Sequence, residues 1–183
     1  MHWREVSKCD PIAKSLAERH YTFVPVKSRK MGREVGPPGQ KIVLRIAEKG
    51  VWGSHRPAPW AGVKRLDGFN GPVCFIFRNE GTGIKSSSLI QEAVAYTISH
   101  WGLSEFMTYV GVEHIASSNP GYCFIKAGFI PLPGYTFSRK IGWLRKLIMP
   151  IETVVECFIQ SGLPLLEDRN QPKTQKKIVG VAK

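Results

Sequence analysis

The sequence predicts a single α/β domain, and three observations carry that reading. Its 183 residues suffice for one well-filled core but are short for two. A continuously apolar, β-prone run, Val73–Phe77, leads through a glycine-bearing turn into the strongest helical pattern in the chain. Shorter strand-like and helix-like runs alternate on either side of that unit.

The elements follow in order. Trp3–Val6 reads as a short first strand. Asp10-Pro11 reads as a helix N-cap with proline at the first helical position, and the helix runs to about Arg19 on the spacing of Ile12 and Leu16. Residues 27–40 hold Gly32, Gly36, Pro37, Pro38 and Gly39 and read as a loop. Lys41–Ala47 alternates Ile42, Leu44 and Ile46 with polar residues, and Gly50 separates it from Val51-Trp52, so a hairpin is expected. Residues 55–71 carry too many prolines and Asp-Gly or Asn-Gly pairs for anything but loop. Val73–Phe77 has the pattern of a central strand covered on both faces.

After Ser86-Ser87-Ser88, the apolar residues Leu89, Ile90, Ala93, Val94, Thr97, Ile98 and Trp101 keep to one helical face, closed by Gly102. Phe106–Val112 reads as another strand. Pro120 opens a short helix ending at Gly128, Phe129–Leu132 restarts a strand, and Tyr135–Phe137 extends or partners it. Beyond Gly142 the pattern weakens: Trp143–Met149 and Val154–Ile159 are apolar enough to pack. Asp168–Lys183 is polar and basic and is expected to be a poorly ordered tail. The expected division is a domain at 1–150 and a C-terminal extension, with its basic tail, at 151–183.

Composition narrows the partners. Twenty-six Lys and Arg against 14 Asp and Glu leave a net charge of +12, a field that attracts polyanions such as nucleic acid or an anionic cofactor. No apolar run approaches the roughly 20 residues that cross a bilayer, and residues near the N-terminus include Arg4, Glu5 and Lys8. No membrane association is expected, and a cytoplasmic location is. Cys9, Cys74, Cys123 and Cys157 form no CxxC pair and have no histidine at zinc spacing, so reduced thiols are expected.

The chemistry is read from the turn Arg78-Asn79-Glu80-Gly81-Thr82-Gly83 and the helix after it. Strand, glycine turn and helix start aim free backbone N–H groups and the positive end of a helix dipole at one spot, a place suited to a diphosphate. Downstream, Ser117-Ser118-Asn119-Pro120-Gly121-Tyr122-Cys123-Phe124 leads to Gly128-Phe129. With Arg78, Gly81 and Gly83 as the first match and Asn119, Gly128 and Phe129 as the second, the chain resembles the GNAT acetyltransferase superfamily over about residues 73–132.

That resemblance implies a central, mostly antiparallel twisted sheet of about six or seven strands flanked by helices. It also implies an acetyl-CoA or related acyl donor, held by Phe77, Arg78, Gly81, Gly83, Ser86, Ser87, Ser88 and Asn119. The loop before the helix is longer than the family's usual one. Where the family commonly has a tyrosine that protonates the departing thiolate, this chain has Phe124, which has no proton to give; Tyr122 or Cys123 are the substitutes to consider.

His20-Tyr21 and the run from Ser117 to Phe129 are further similar to phage and prophage GNAT-like proteins that hypermodify DNA, the Mom-like proteins and amino:DNA transferases. This implies a DNA-hypermodifying transferase that moves an acyl or amino-acid-derived group onto a base. A conventional N-acetyltransferase acting on a small amine or protein, and a non-catalytic nucleic-acid-binding module, are the alternatives. Candidate catalytic residues are His20, Tyr21, Glu113 and Tyr122, with His20 and Glu113 also a candidate iron pair. Glu80 is expected to pair with Arg78 or another cation. For double-stranded DNA with a flipped base, the basic residues Lys27, Arg29, Lys30 and Arg33 would meet phosphates, and Trp52, Trp60 or Tyr21 would stack on the base. Both tryptophans also fit a hairpin core.

Overall fold

A computed structural model describes residues 1–23, 34–37, 39–56, 68–115 and 117–164. Twelve short elements follow one another: β1 (Arg4–Glu5), α1 (Pro11–Glu18), β2 (Gln40–Ile46), β3 (Gly50–Arg56), β4 (Val73–Asn79), α2 (Ser86–Trp101), β5 (Phe106–Gly111), a 3-10 turn (Val112–His114), α3 (Tyr122–Lys126), β6 (Ile130–Ser138), β7 (Gly142–Met149) and α4 (Ile151–Ser161). The strands form one sheet in the order β1-β2-β3-β4-β5-β7-β6. Every neighbouring pair is antiparallel except β4 and β5.

α1 begins as its sequence dictates, with Asp10 Oδ1 accepting from Ala13 N at 2.7 Å and proline inside the first turn. It lays Ala13, Leu16 and Ala17 on one face of the sheet, against Val43, Val51 and Ile76. α2 covers the other face, where Leu89, Ile90, Ala93, Val94 and Ile98 share a core with Trp52, Phe106, Phe124, Phe129 and Met149. Val154 and Cys157 of α4 belong to that same core, across the boundary expected at residue 150.

Two features went unread in the sequence. Gly142–Met149 is a full strand, and it inserts between β5 and β6 instead of following β6 outward. Its pairing along the whole of β5, from Phe106↔Met149 to Gly111↔Leu144, fixes β5 from one side only. The second feature is a bulge. Gly53 pairs with Ile76 and Ser54 with Cys74, leaving Phe75 as the extra residue on β4. Its ring is seated against Gly53, where a Cβ would stand 2.3 Å from the ring.

The bulge bends β4, and β4 parts from β5 at the same point. Their ladder consists of Val73↔Met107 and Cys74↔Thr108. Beyond it, Phe75–Asn79 and Tyr109–Gly111 are no longer each other's partners. The sheet therefore splays open toward the ends that carry the glycine turn and the 3-10 turn.

Asp168–Lys183, Trp60 and the basic residues Lys27, Arg29, Lys30 and Arg33 lie outside the described residues. Among those described, no helix is long and apolar enough to cross a membrane.

Candidate active site

The turn after β4 is shaped by Asn79. Its amide donates to Ile84 O and Ser86 Oγ, both at 3.1 Å, and its Oδ1 accepts from Thr82 N at 3.0 Å. An asparagine that folds the following residues back on itself in this way makes a tight, preset loop. Gly81 and Gly83 adopt φ of +79° and +80°, a conformation that L side chains rarely take. A Cβ on either would point into open space, with nothing within 4 Å. The first helical hydrogen bond runs from Leu89 N to Lys85 O at 3.1 Å, so the N–H groups of Ser86, Ser87 and Ser88 precede it and are left for a guest. Lys85 is exposed beside them. Glycine backbone, free donors, a helix start and a nearby cation make a cradle that fits a diphosphate.

Arg78 is not part of that cradle. Its guanidinium donates to Arg19 O at 2.7 Å and to Glu80 Oε1. Glu80 also takes two bonds from Arg19, at 3.0 and 2.7 Å. These two guanidinium groups hold the Glu80 carboxyl down at about 2. The pairing of Glu80 with Arg78 is as expected; the consequence is that the arginine matched to the family motif clasps α1 to the end of β4, with its charge already engaged. Asn119 likewise has a structural partner, since its Oδ1 accepts from Arg145 at 2.9 Å, which also donates to Pro120 O at 3.1 Å. Phe77 packs edge-on against Trp52 and Phe124.

The other side of the splay is filled from α1. His20 and Tyr21 stack with ring centroids 4.3 Å apart, and Tyr21 stacks on His114 at 5.3 Å. The Tyr21 hydroxyl accepts from Gly111 N at 3.0 Å, on the stretch of β5 that β4 has left. The ring lies so close to Gly111 that a Cβ there would come within 2.7 Å of it. Burial raises the pKa of the phenol, so it keeps its proton at neutral pH. Because the oxygen accepts from Gly111, that proton is free to be donated.

His20 is differently employed. Thr22 N donates to its Nδ1 at 3.2 Å, and Thr22 Oγ1 is 2.7 Å from the same nitrogen. Nδ1 is therefore an acceptor, and the imidazole is the Nε2–H tautomer. Burial, and Arg78 nearby, lower its pKa to about 4. An imidazole kept neutral and held at Nδ1 by Thr22 suits a brace between α1 and β4 better than a base or a metal ligand.

Glu113 is exposed and its carboxylate lies against Gly142. Among the described residues no three His, Cys, Asp or Glu side chains gather as a metal site. The pair His20 and Glu113, expected to hold iron, is joined by no such group among the described residues. Tyr122 is 53% exposed with Lys126 over its ring, whereas Cys123 is half-buried and packs against the core. Phe124, 7% exposed, is a core residue packed edge-on against Phe77 and Phe129.

Trp52 is fully buried between Phe77 and Phe106, which corrects its assignment to a nucleic-acid surface. Sequence reasoning missed Asn79 and His114. His114 Nε2 is 2.9 Å from Ile141 O, so that nitrogen carries the proton and Nδ1 is the basic one. Asparagine before a Gly-Thr-Gly turn was a readable signal; the placement of His114 on Tyr21 was not.

No protein-family model matches the chain, and no curated protein matches it. Among solved structures it is similar to spermidine N-acetyltransferase from Vibrio cholerae in complex with CoA and spermine. The TM-score is 0.56 at 12% identity, over 84% of this chain and 96% of that one. A mutant of the same enzyme gives 0.55 at 12% identity, over 84% and 95%. At this identity the likeness is one of fold, and the chain has the GNAT fold expected from its motifs. These neighbours are amine acetyltransferases and lend nothing to the DNA-hypermodification branch.

Proposed function

We propose that the protein is an acyl-CoA-dependent acyltransferase acting on an amine. The observation that carries this reading is the Asn79-shaped cradle opening beside the β4–β5 splay. When bound, acyl-CoA supplies a thioester carbonyl for attack by the amine. The backbone N–H groups of Gly81, Gly83 and Ser86–Ser88 would hold its diphosphate, and the unpaired edges of β4 and β5 would offer hydrogen bonds to its arm.

Two side chains then divide the proton work, and a third holds them in place. Tyr21 delivers its phenolic proton to the departing thiolate, in place of the acid that Phe124 cannot be. His114 Nδ1, stacked beside it, accepts the proton of the attacking amine. His20 holds α1 against Phe77 so that Tyr21 stays between the strands.

Both similar structures are of a spermidine N-acetyltransferase, and the fold supports amine acetylation for this chain too. A net charge of +12 repels a polycation such as spermine, so an uncharged or anionic amine-bearing acceptor is favoured. The same charge keeps a nucleic-acid base amine as a second reading.

The test is release of free CoA thiol from acetyl-CoA across a panel of amines, including polyamines, amino acids, peptides and oligonucleotides. Tyr21→Phe should lower kcat by about 10²-fold with donor affinity unchanged. Full activity in that variant would remove Tyr21 as the acid, and no acceptor-dependent thiol release by the wild type would remove the transferase reading.

A further inference from the structure

The hairpin of β6 and β7 carries an unusual face. Phe137 is opposite Trp143 and Tyr135 opposite Arg145, so strand alternation brings these four side chains to one side. The three rings are exposed, Tyr135 by 58%, Phe137 by 61% and Trp143 by 48%. Phe137 and Trp143 support each other edge-on at 5.2 Å. A cluster of large exposed rings on an edge strand is a surface that something covers.

The chemistry of the cover is set by charge. From Ile130 to Met149 the hairpin holds Arg139, Lys140, Arg145 and Lys146 and no Asp or Glu. Among the described residues none of the four cations is ion-paired. Arg145 is fixed by the neutral oxygens of Asn119 and Pro120, which hold it in place and leave its charge uncompensated. The nearby carboxylate, Glu113, lies against Gly142, whose alternation puts it on the opposite side from Trp143.

We infer that this face docks a single-stranded segment of nucleic acid, with bases stacked on Phe137, Trp143 and Tyr135 and phosphates met by Arg139, Lys140 and Arg145. Flat rings interleaved with cations are the recognised chemistry of such sites. Residues two apart on one strand face are about 7 Å apart, which lets Tyr135 and Phe137 take successive bases. A second copy of this chain fits poorly, because it would press Arg139, Lys140 and Arg145 against the same three cations with no carboxylate on either hairpin. The surface adjoins the active site, since Ile141 in the turn accepts from His114, which stacks on Tyr21. The inference does not depend on acyl transfer and is tested without any acyl donor.

Fluorescence anisotropy of a labelled oligothymidylate would be followed with the full chain over a range of salt, beside a duplex, polyglutamate and anionic vesicles. Binding should be strongest for the single strand. The double variant Phe137→Ala/Trp143→Ala should lose tenfold or more in affinity with its melting temperature retained, both rings being exposed. Arg139→Gln/Lys140→Gln should weaken binding and lower the salt slope by about 1.4, or roughly 0.7 per phosphate contact.

Several results would overturn the proposal. They are no binding by the wild type, equal binding by both variants, equal retention of polyglutamate or vesicles through the same rings, or a wild-type dimer in sedimentation that the aromatic variant dissociates.

Discussion

At the scale of single residues, the site depends on protonation states that burial sets. His20 is held neutral, its pKa lowered from the usual 6.5 to about 4 by desolvation and then by Arg78. Between those values the unfolded chain binds a proton that the folded chain refuses, so stability falls as pH drops through that window. The contribution is whole above about pH 6.5 and gone below about 4, and the span corresponds to a loss on the order of 3 kcal/mol. Urea unfolding of the wild type and His20→Gln from pH 7 to pH 4 should show this component in the wild type alone. A parallel dependence in both would mean that His20 titrates freely. Phe124 and Trp52 illustrate what residue type alone conveys: a missing acid was legible at Phe124, but whether Trp52 faces a ligand or the core depended on which side of β3 is covered.

At the scale of elements, the strand–turn–helix unit was largely readable, because its information is local: an apolar run, glycines, a serine-led helix face. Arg78 shows the limit of that reading. It matches a motif position, yet Glu80 two residues on and the end of α1 claim its guanidinium, and the contact to Arg19 spans a separation that no local pattern encodes. β7 was missed for a related reason. A strand that inserts between β5 and β6 is specified by long-range pairing, and its alternation is blurred because it is partly exposed. Within the turn, Asn79 carries the shape through three side-chain bonds. Asn79→Ala should weaken acyl-CoA binding by about tenfold or more, because the loop is no longer preset, and should also lower stability, each lost side-chain hydrogen bond being worth about 1 kcal/mol. A variant that binds the donor as the wild type does would show that the loop holds its form without that side chain.

At the scale of the whole molecule, a bulge at Phe75 opens the sheet, and each side of the opening is furnished from a different part of the chain. The turn after α1 supplies Tyr21 from one face, and the turn into α2 supplies the cradle at the end of β4. The GNAT fold was legible from motifs spread over about residues 73–132, whereas the finer subfamily likeness drew on short runs such as His20-Tyr21 and Ser117–Phe129, in which Phe124 and Phe129 are core residues and Asn119 is held by Arg145. In the proposed function, the turn from Glu80 to Ser88 receives a diphosphate. Calorimetric titration with CoA and with pantetheine, which lacks the nucleotide diphosphate, tests it most directly in the wild type and in Gly83→Val. CoA should bind the wild type at least a hundredfold more tightly than pantetheine, and Gly83→Val should abolish that advantage while remaining folded by circular dichroism. Equal affinity for the two ligands, or an advantage untouched by the substitution, would contradict the assignment.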